Sequence, residues 1–316
     1  MDSKHKTRQK QTASMNNRPG RASYRTSPIK RVRRTKSELS SIRCALYDIL
    51  KVGQPMSVRQ VFYQAVSRGI IDKTETEYKK TICRLLGIMR REKDVPFYWL
   101  SDSTRWMRKP SSFSSLENAL QNTAQYYRRD LWGNQKSYIE IWLEKDALAG
   151  IVFDVTAEWD VPLMVTRGYP SLSFLYSAAE SISVEQRPCF LYYFGDHDPS
   201  GVDIPRRIEK DLRDFAPDAE IHFKRMAVLP EQIKKYKLPT RPTKKTDTRF
   251  KNFKGESVEV DAIPPDKLRK IVRNCIEQHI DQDQLHRMQI VEQAERATLQ
   301  TIIDNMEEGS DDDELE

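Results

Sequence analysis

The feature that most limits the fold is the alternation of apolar strands with helical segments after residue 137. Four short apolar runs predict strands, at about residues 138–143, 161–166, 189–194 and 221–229. Longer segments with helical spacing separate them. Strands that alternate with helices at this spacing indicate an α/β fold with a mainly parallel sheet.

The segment before the sheet, residues 37–132, predicts mainly helices. Ser37 and Ser57 precede two apolar helical patterns as N-caps, and a third helix is expected over about residues 75–91. A short strand-like run at 97–100 follows, and after it a linking helix is expected over residues 116–132. Three helices followed by a β element are the layout of a winged helix-turn-helix domain, in which the last helix enters the major groove of DNA.

The third helix carries a basic face that we predict to contact DNA. Its members are Lys79, Lys80, Arg84, Arg90 and Arg91. The alternative is a three-helix bundle whose basic face is simply solvated.

Charge is concentrated at the two ends of the chain. The net charge is +7, but residues 1–36 hold twelve Lys or Arg and one acid, and residues 307–316 hold seven acids and no base. Both segments are expected to be disordered, because they cannot bury enough apolar surface to offset the entropy of ordering. The basic arm is of a kind that binds phosphate backbones without sequence preference. A solubilising tail, or an address signal at residues 30–34, is the alternative.

Other classes are disfavoured by the sequence. No run approaches the roughly 20 apolar residues of a membrane span, and the first residues show no signal-peptide pattern. The four cysteines are far apart and have no CxxC spacing, so a zinc ribbon or a disulfide framework is not expected. We therefore expect an intracellular protein, in the cytoplasm or nucleoid if it is prokaryotic or from a phage.

Acidic residues follow two of the predicted strands. Glu144 comes directly after 138–143, and Asp196 and Asp198 come directly after 189–194. In open α/β sheets, sites form at the carboxyl ends of strands. Three converging carboxylates would repel one another unless a hard cation lay among them, and Mg²⁺ prefers oxygen ligands. The sequence thus predicts a magnesium site, with a solvated acidic turn as the alternative.

His197 lies between the two aspartates. A proton donor and a metal ligand are both conceivable roles, but we favour an exposed turn residue.

These motifs together resemble a known family. Glu144-Lys145 after one strand and Asp196-x-Asp198-x-x-Gly201 after another resemble the Toprim domain, over about residues 137–225. Residues 168–170 (Gly-Tyr-Pro) and 144–147 (Glu-Lys-Asp-Ala) are similar to stretches of topoisomerase VI A subunits and of the meiotic double-strand-break transesterase. Residues 258–265 look like prokaryotic and phage relatives of those subunits.

The resemblance implies a division of the chain and a nucleophile. It implies a winged-helix domain over residues 37–132 and a Toprim metal-binding domain with C-terminal helices over 133–306. Residues 57–63 resemble the helix that carries the nucleophilic tyrosine of the family. In this resemblance, Tyr63 corresponds to the nucleophile. Arg59 lies one helical turn earlier, where its charge would stabilise a phenolate or the charge on phosphorus. Gln60 departs from the family, which usually has an acid there.

The function implied by the resemblance is Mg²⁺-dependent cleavage of both DNA strands by tyrosine transesterification. It also implies a homodimer, and a topoisomerase would need a separate GHKL-type ATPase subunit, because this chain has no P-loop motif. Without the resemblance, Tyr63 would be interpreted as a packing residue. Two alternatives stay open: a Toprim nuclease that uses metal-activated water, and a DNA-binding protein whose Toprim site is inactive.

Overall fold

The structure is a computed structural model that describes residues 34–101, 110–243, 253 and 255–312, with side chains to residue 306. Most of the predicted basic arm (residues 1–33) and the end of the acidic tail (313–316) lie outside the described residues. No helix in the described part of the chain is long and apolar enough to cross a membrane.

Eleven α-helices and four strands form the described part of the chain. The helices are α1 (Lys36–Gly53), α2 (Val58–Ser67), α3 (Glu75–Glu77), α4 (Arg84–Arg91), α5 (Leu116–Tyr126), α6 (Ala149–Glu158), α7 (Leu172–Ser183), α8 (Pro199–Phe215), α9 (Pro230–Lys235), α10 (Pro265–Glu277) and α11 (Gln282–Asp312). The strands are β1 (Tyr138–Leu143), β2 (Leu163–Val165), β3 (Cys189–Phe194) and β4 (Ile221–Ala227).

The four strands form one parallel sheet in the order β2-β1-β3-β4. This confirms the predicted α/β class and the parallel sheet. The chain moves from β1 outward to β2 and then returns to the other side of β1 to form β3. The order of the strands therefore reverses between β1 and β3, and in open α/β sheets ligands bind at such a switch point, outside the carboxyl ends of the strands.

Both faces of the sheet are covered by helices. On one face Trp142 and Tyr193 pack against α7 and α8. On the other, Ile141 and Phe194 share a core with α6, with α10 and with the N-terminal helices. Because strands of this sheet are buried on two sides, β1 and β3 are almost entirely apolar.

Helix α2 begins where the sequence predicts, whereas α1 begins two residues earlier than the predicted cap at Ser37 allows. Thr35 caps α1 and Ser57 caps α2, each through a capping box with the residue three positions later. The third helical run continues from α3 through a π-helical segment, Tyr78–Cys83, into α4.

Three details of the N-terminal and C-terminal regions differ from the prediction. Residues Phe97–Trp99 form a 3₁₀ turn instead of a strand, in which Trp99 is buried while Phe97 and Tyr98 face solvent. Helix α5 ends at Tyr126 and not at residue 132. Helix α11 continues to Asp312, through residues that the sequence assigns to a disordered tail.

Candidate active site

Glu144 and Asp196 meet at the switch point of the sheet. Leu143 and Phe194 are register partners at the ends of β1 and β3, so the next residues of both strands emerge side by side. The Asp196 backbone N–H donates a hydrogen bond to Glu144 Oε2 at 3.0 Å, and the Tyr193 hydroxyl donates to the same oxygen at 3.2 Å. The structure thus brings together two of the three carboxylates predicted as metal ligands.

Asp198, the third predicted ligand, also caps helix α8. Its Oδ1 accepts a hydrogen bond from the Gly201 backbone N–H at 2.7 Å, and Pro199 occupies the first turn of the helix. Its Oδ2 lies 3.7 Å from the Arg241 guanidinium. The cap fixes the direction of the Asp198 carboxylate and leaves one oxygen for another partner.

Lys145 lies at the centre of a buried acidic cluster. Its Nζ is 3.1 Å from a carboxylate oxygen of each of Asp196, Glu259 and Asp261. The contact with Asp261 Oδ2 is an ion pair without hydrogen-bond geometry. The other oxygen of Asp196 accepts a hydrogen bond from the Val260 backbone N–H at 2.8 Å.

Helix α2 is attached to this cluster through Arg59. Its Nε and Nη2 donate to the two oxygens of Glu259 at 2.9 and 3.1 Å, in the fork geometry of a strong arginine–carboxylate pair. Arg241 Nη1 lies 2.9 Å from Glu259 as well. A continuous series of contacts therefore runs from Arg59 through Glu259 and Lys145 to Asp196.

Tyr63 lies on the same helix but is buried, with an exposed fraction of 1%. Its ring packs edge-on against Phe62, and Lys73 Nζ lies 5.3 Å from the ring centroid. Burial, reinforced by the charge of Glu259, raises the pKa of the Tyr63 hydroxyl. Tyr63 is thus within electrostatic reach of the cluster, but in this conformation its hydroxyl favours the neutral form and is shielded from solvent.

The carboxylates of the switch point favour protons more than ordinary acids do. Burial raises the pKa of Asp196 to about 7, and the charge of Glu144 adds to this effect against the opposing charge of Lys145. Burial also raises the pKa of Glu144, with a contribution from the charge of Asp198. Carboxylates that repel one another in a partly dehydrated place are the setting in which a bound cation is most favourable.

These residues fit a hard divalent cation by the chemistry of their ligand atoms. All three predicted ligands offer carboxylate oxygens. In the described part of the chain, Glu144 has no ion pair and Asp198 has only the 3.7 Å contact with Arg241. Among the described residues, however, no group of three or more acidic, histidine or cysteine side chains surrounds a single point. Lys145 supplies the positive charge next to Asp196 in this arrangement.

The predicted basic face is on the surface of the N-terminal helices. Lys79, Lys80, Arg84 and Arg91 are exposed, whereas Arg90 is half-buried and lies over the Phe97 ring. Lys79 is also paired with Glu75 at 3.3 Å, a surface ion pair of small energetic value. The face is therefore available to a polyanion, although its contact with DNA stays a prediction.

His197 and the Gly-Tyr-Pro loop both lie in the described part of the chain. His197 is half-buried and not an exposed turn residue, because its backbone pairs with Val258 and its ring lies 5.0 Å from that of Phe253. In the Gly-Tyr-Pro loop, Gly168 has a positive φ of 89°, and the Tyr169 hydroxyl donates to Asp203 at 2.8 Å.

Two of the three acidic partners of Lys145 were not predicted as site residues. Glu259 and Asp261 belong to the run Val258–Ile263, where acids alternate with apolar residues, and both are buried. Buried acids require a partner, so this alternation was the available signal. The residue that pairs with them is 114 positions away from Glu259 in the chain, which no local pattern reveals.

Comparison with known proteins adds no identification. No protein-family model and no curated protein sequence matches this chain.

Proposed function

We propose that the chain cleaves DNA at the edge of the sheet where Glu144, Asp196 and Asp198 lie, in the manner of a topoisomerase VI A subunit. The observation that carries the proposal is the series of contacts from Arg59 through Glu259 and Lys145 to Asp196. It places the helix of the candidate nucleophile beside the candidate metal ligands. In the proposal, α1, α2 and α4 are the helices of a winged-helix domain, and their basic face binds the duplex.

The proposed chemistry is an in-line displacement at phosphorus. The Tyr63 hydroxyl loses its proton, its oxygen forms a bond to the phosphorus, and the bond from phosphorus to the deoxyribose oxygen breaks. The leaving oxygen takes up a proton, and the chain is left joined to the DNA end through a phosphotyrosine. Arg59 would stabilise the phenolate or the charge that develops on phosphorus.

Glu144, Asp196 and Asp198 would hold Mg²⁺ in this proposal, and the ion would neutralise charge on the phosphate. Because Lys145 pairs with Asp196 in the described state, it would release Asp196 and keep its contacts with Glu259 and Asp261 when a cation binds. Two such chains are needed to cut both strands, so a homodimer is part of the proposal. Strand passage would further require an ATPase subunit.

The burial of Tyr63 favours a second candidate. A tyrosine with 1% of its surface exposed attacks DNA only if helix α2 moves away from the residues around it. A nuclease that uses water at the same three carboxylates needs no such movement. In that case Tyr63 is a packing residue of the N-terminal core.

Covalent trapping separates the two mechanisms. The protein is incubated with Mg²⁺ and labelled duplex DNA, denatured with detergent, and examined for DNA attached to protein. Transesterification predicts an adduct with the wild type and none with Tyr63→Phe. Tyr47→Phe, which removes a partly exposed hydroxyl on α1, is the matched control and should keep the adduct. Unattached 5′-phosphate ends and full cleavage by Tyr63→Phe would establish the nuclease instead.

A further inference from the structure

Two aromatic side chains stand out from the surface next to the basic helix. Phe97 and Tyr98 have 66% and 74% of their surface exposed, although aromatic rings of this size usually contribute to a core. They are adjacent in the 3₁₀ turn that follows α4. We call this pair the aromatic platform.

The turn that carries the platform is firmly anchored. Trp99 and Leu100, the next two residues, are buried, and Trp99 packs against Tyr47 with ring centroids 5.5 Å apart. The Met56 backbone N–H donates to the Trp99 carbonyl at 3.0 Å, and the Ser101 N–H donates to the Met56 carbonyl at 2.9 Å. The exposed rings are therefore held in place by the fold and are not on a loose loop.

The surroundings of the platform are positively charged. The Arg90 guanidinium lies 5.4 Å from the centroid of the Phe97 ring. Arg91 and Lys93 are exposed within a few residues of the turn.

The nearby acids cancel only part of this charge, because two of them share one arginine. Glu92 and Asp94 are both paired with Arg43 of helix α1. Exposed aromatic faces beside an excess of basic side chains are the combination that binds unpaired bases of nucleic acids.

We propose that the aromatic platform stacks unpaired bases of the DNA held by the basic face. Each base has a flat π-surface that matches an exposed ring, and the neighbouring basic side chains would contact the phosphates on either side. A platform for bases has no use on a fully paired duplex, whose bases are already stacked on one another. The preferred substrate would be DNA with a locally opened or single-stranded stretch.

This inference rests on the proposed function, since it assumes that the basic face binds DNA, but it does not depend on Tyr63 or on a metal. A protein partner that covers the two rings is the competing occupant. The positive charge around them favours DNA.

The test compares two DNA probes by fluorescence anisotropy with the full-length chain. One is a duplex, and the other is the same duplex with a short single-stranded gap. Wild type should bind the gapped probe more tightly, and the double substitution Phe97→Ala/Tyr98→Ala should weaken that binding about ten-fold while duplex binding changes by less than about two-fold.

Two further variants make the result specific to aromatic faces. Phe97→Trp/Tyr98→Trp keeps the π-surfaces and should retain the gap preference, whereas Tyr126→Ala removes a 72% exposed tyrosine of helix α5 and should bind both probes as the wild type does. All of the substituted residues are exposed, so loss of the fold does not explain a change.

The failures of the two proposals are distinguishable. If wild type binds the duplex and the gapped probe equally well, the inference is overturned and DNA binding stands. The same holds if the double alanine variant still prefers the gapped probe as the wild type does. A loss of self-association in that variant, with DNA affinity unchanged, would assign the rings to a protein interface and likewise overturn the inference. If wild type binds neither probe, the proposed function fails, and the inference fails with it.

Discussion

At the scale of single residues, Gly201 allows helix α8 to approach the end of β3 closely. A Cβ atom at this position would overlap the backbone carbonyl of Asp196, which cannot rotate away as a flexible side chain would. Gly201→Ala is therefore expected to displace the Asp196 loop and to lower the free energy of unfolding by about 1–3 kcal/mol. Urea unfolding measures the change.

Gly87 provides the matched control for that substitution. It lies in α4, where an added Cβ meets no atom within 4 Å. Gly87→Ala should leave the protein as stable or make it more stable by about 0.5–1 kcal/mol, because alanine favours helix. Equal effects of the two substitutions would contradict the close approach at Gly201.

Glu259 makes the stability of the protein depend on pH. Its burial tends to raise the pKa, but the hydrogen bonds from Arg59 and the charge of Lys145 outweigh burial and hold the pKa at about 2, against an ordinary 4.5. A depressed folded-state pKa stabilises the fold above about pH 4.5, and this contribution is lost as the pH falls toward 2. The shift corresponds to about 3 kcal/mol at most.

Comparison of wild type with Glu259→Gln by urea unfolding tests this dependence. The wild type should be more stable at pH 6, and the difference should shrink as the pH falls below 4.5. Glu158→Gln, which removes an exposed pair with Arg273 at 3.2 Å, should cost less than about 1 kcal/mol. A difference between wild type and Glu259→Gln that stays constant down to pH 2 would show that the charge of Glu259 is not the cause.

At the scale of secondary structure, helix α8 and the acidic site share Asp198. Its carboxylate caps the helix and is also a proposed ligand, and two substitutions separate these roles. Asn at an N-cap satisfies the same backbone N–H, so Asp198→Asn should keep stability and lose DNA cleavage. Asp198→Ala should lose cleavage and also about 1 kcal/mol of stability. If Asp198→Asn cleaves DNA as the wild type does, Asp198 is only a cap.

Most elements could be predicted from local patterns. The strands β1 and β3 begin and end where their apolar runs do, because strands that are buried on both faces consist almost entirely of apolar residues. The helix starts at Ser57 and near Ser37 follow from capping signals. The run at 97–100 could not be assigned from its composition, since aromatic residues favour a strand, whereas Phe97 and Tyr98 are both exposed and Trp99 and Leu100 are both buried, which does not alternate as in a half-buried strand.

The site was only partly predictable. Glu144, Asp196 and Asp198 follow apolar strands, and a parallel sheet places the ends of its strands at one edge, so their proximity was accessible from the sequence. The pairing of Lys145 with Glu259 and Asp261, and of Arg59 with Glu259, depends on how a distant segment folds back over the edge. No periodicity in either segment specifies that contact.

At the scale of the whole molecule, the N-terminal helices and the sheet form one connected structure. They share a hydrophobic core, and Arg59 of α2 pairs with Glu259 beside the acidic edge. The described state therefore holds Tyr63 close to the site and buried at the same time. A DNA-cleaving cycle based on Tyr63 requires this contact to open, whereas a water-based cycle does not.

We propose that the edge of the sheet at Glu144, Asp196 and Asp198 cleaves DNA, whichever nucleophile it uses. Cleavage of supercoiled plasmid in the presence of Mg²⁺, with wild type and Asp196→Asn side by side, tests it most directly. Asp214→Asn, which removes an exposed carboxylate paired with Lys210 on helix α8, is the control. We expect linear product with wild type and Asp214→Asn, and a rate at least about 100-fold lower with Asp196→Asn. Cleavage by Asp196→Asn at the wild-type rate would contradict it.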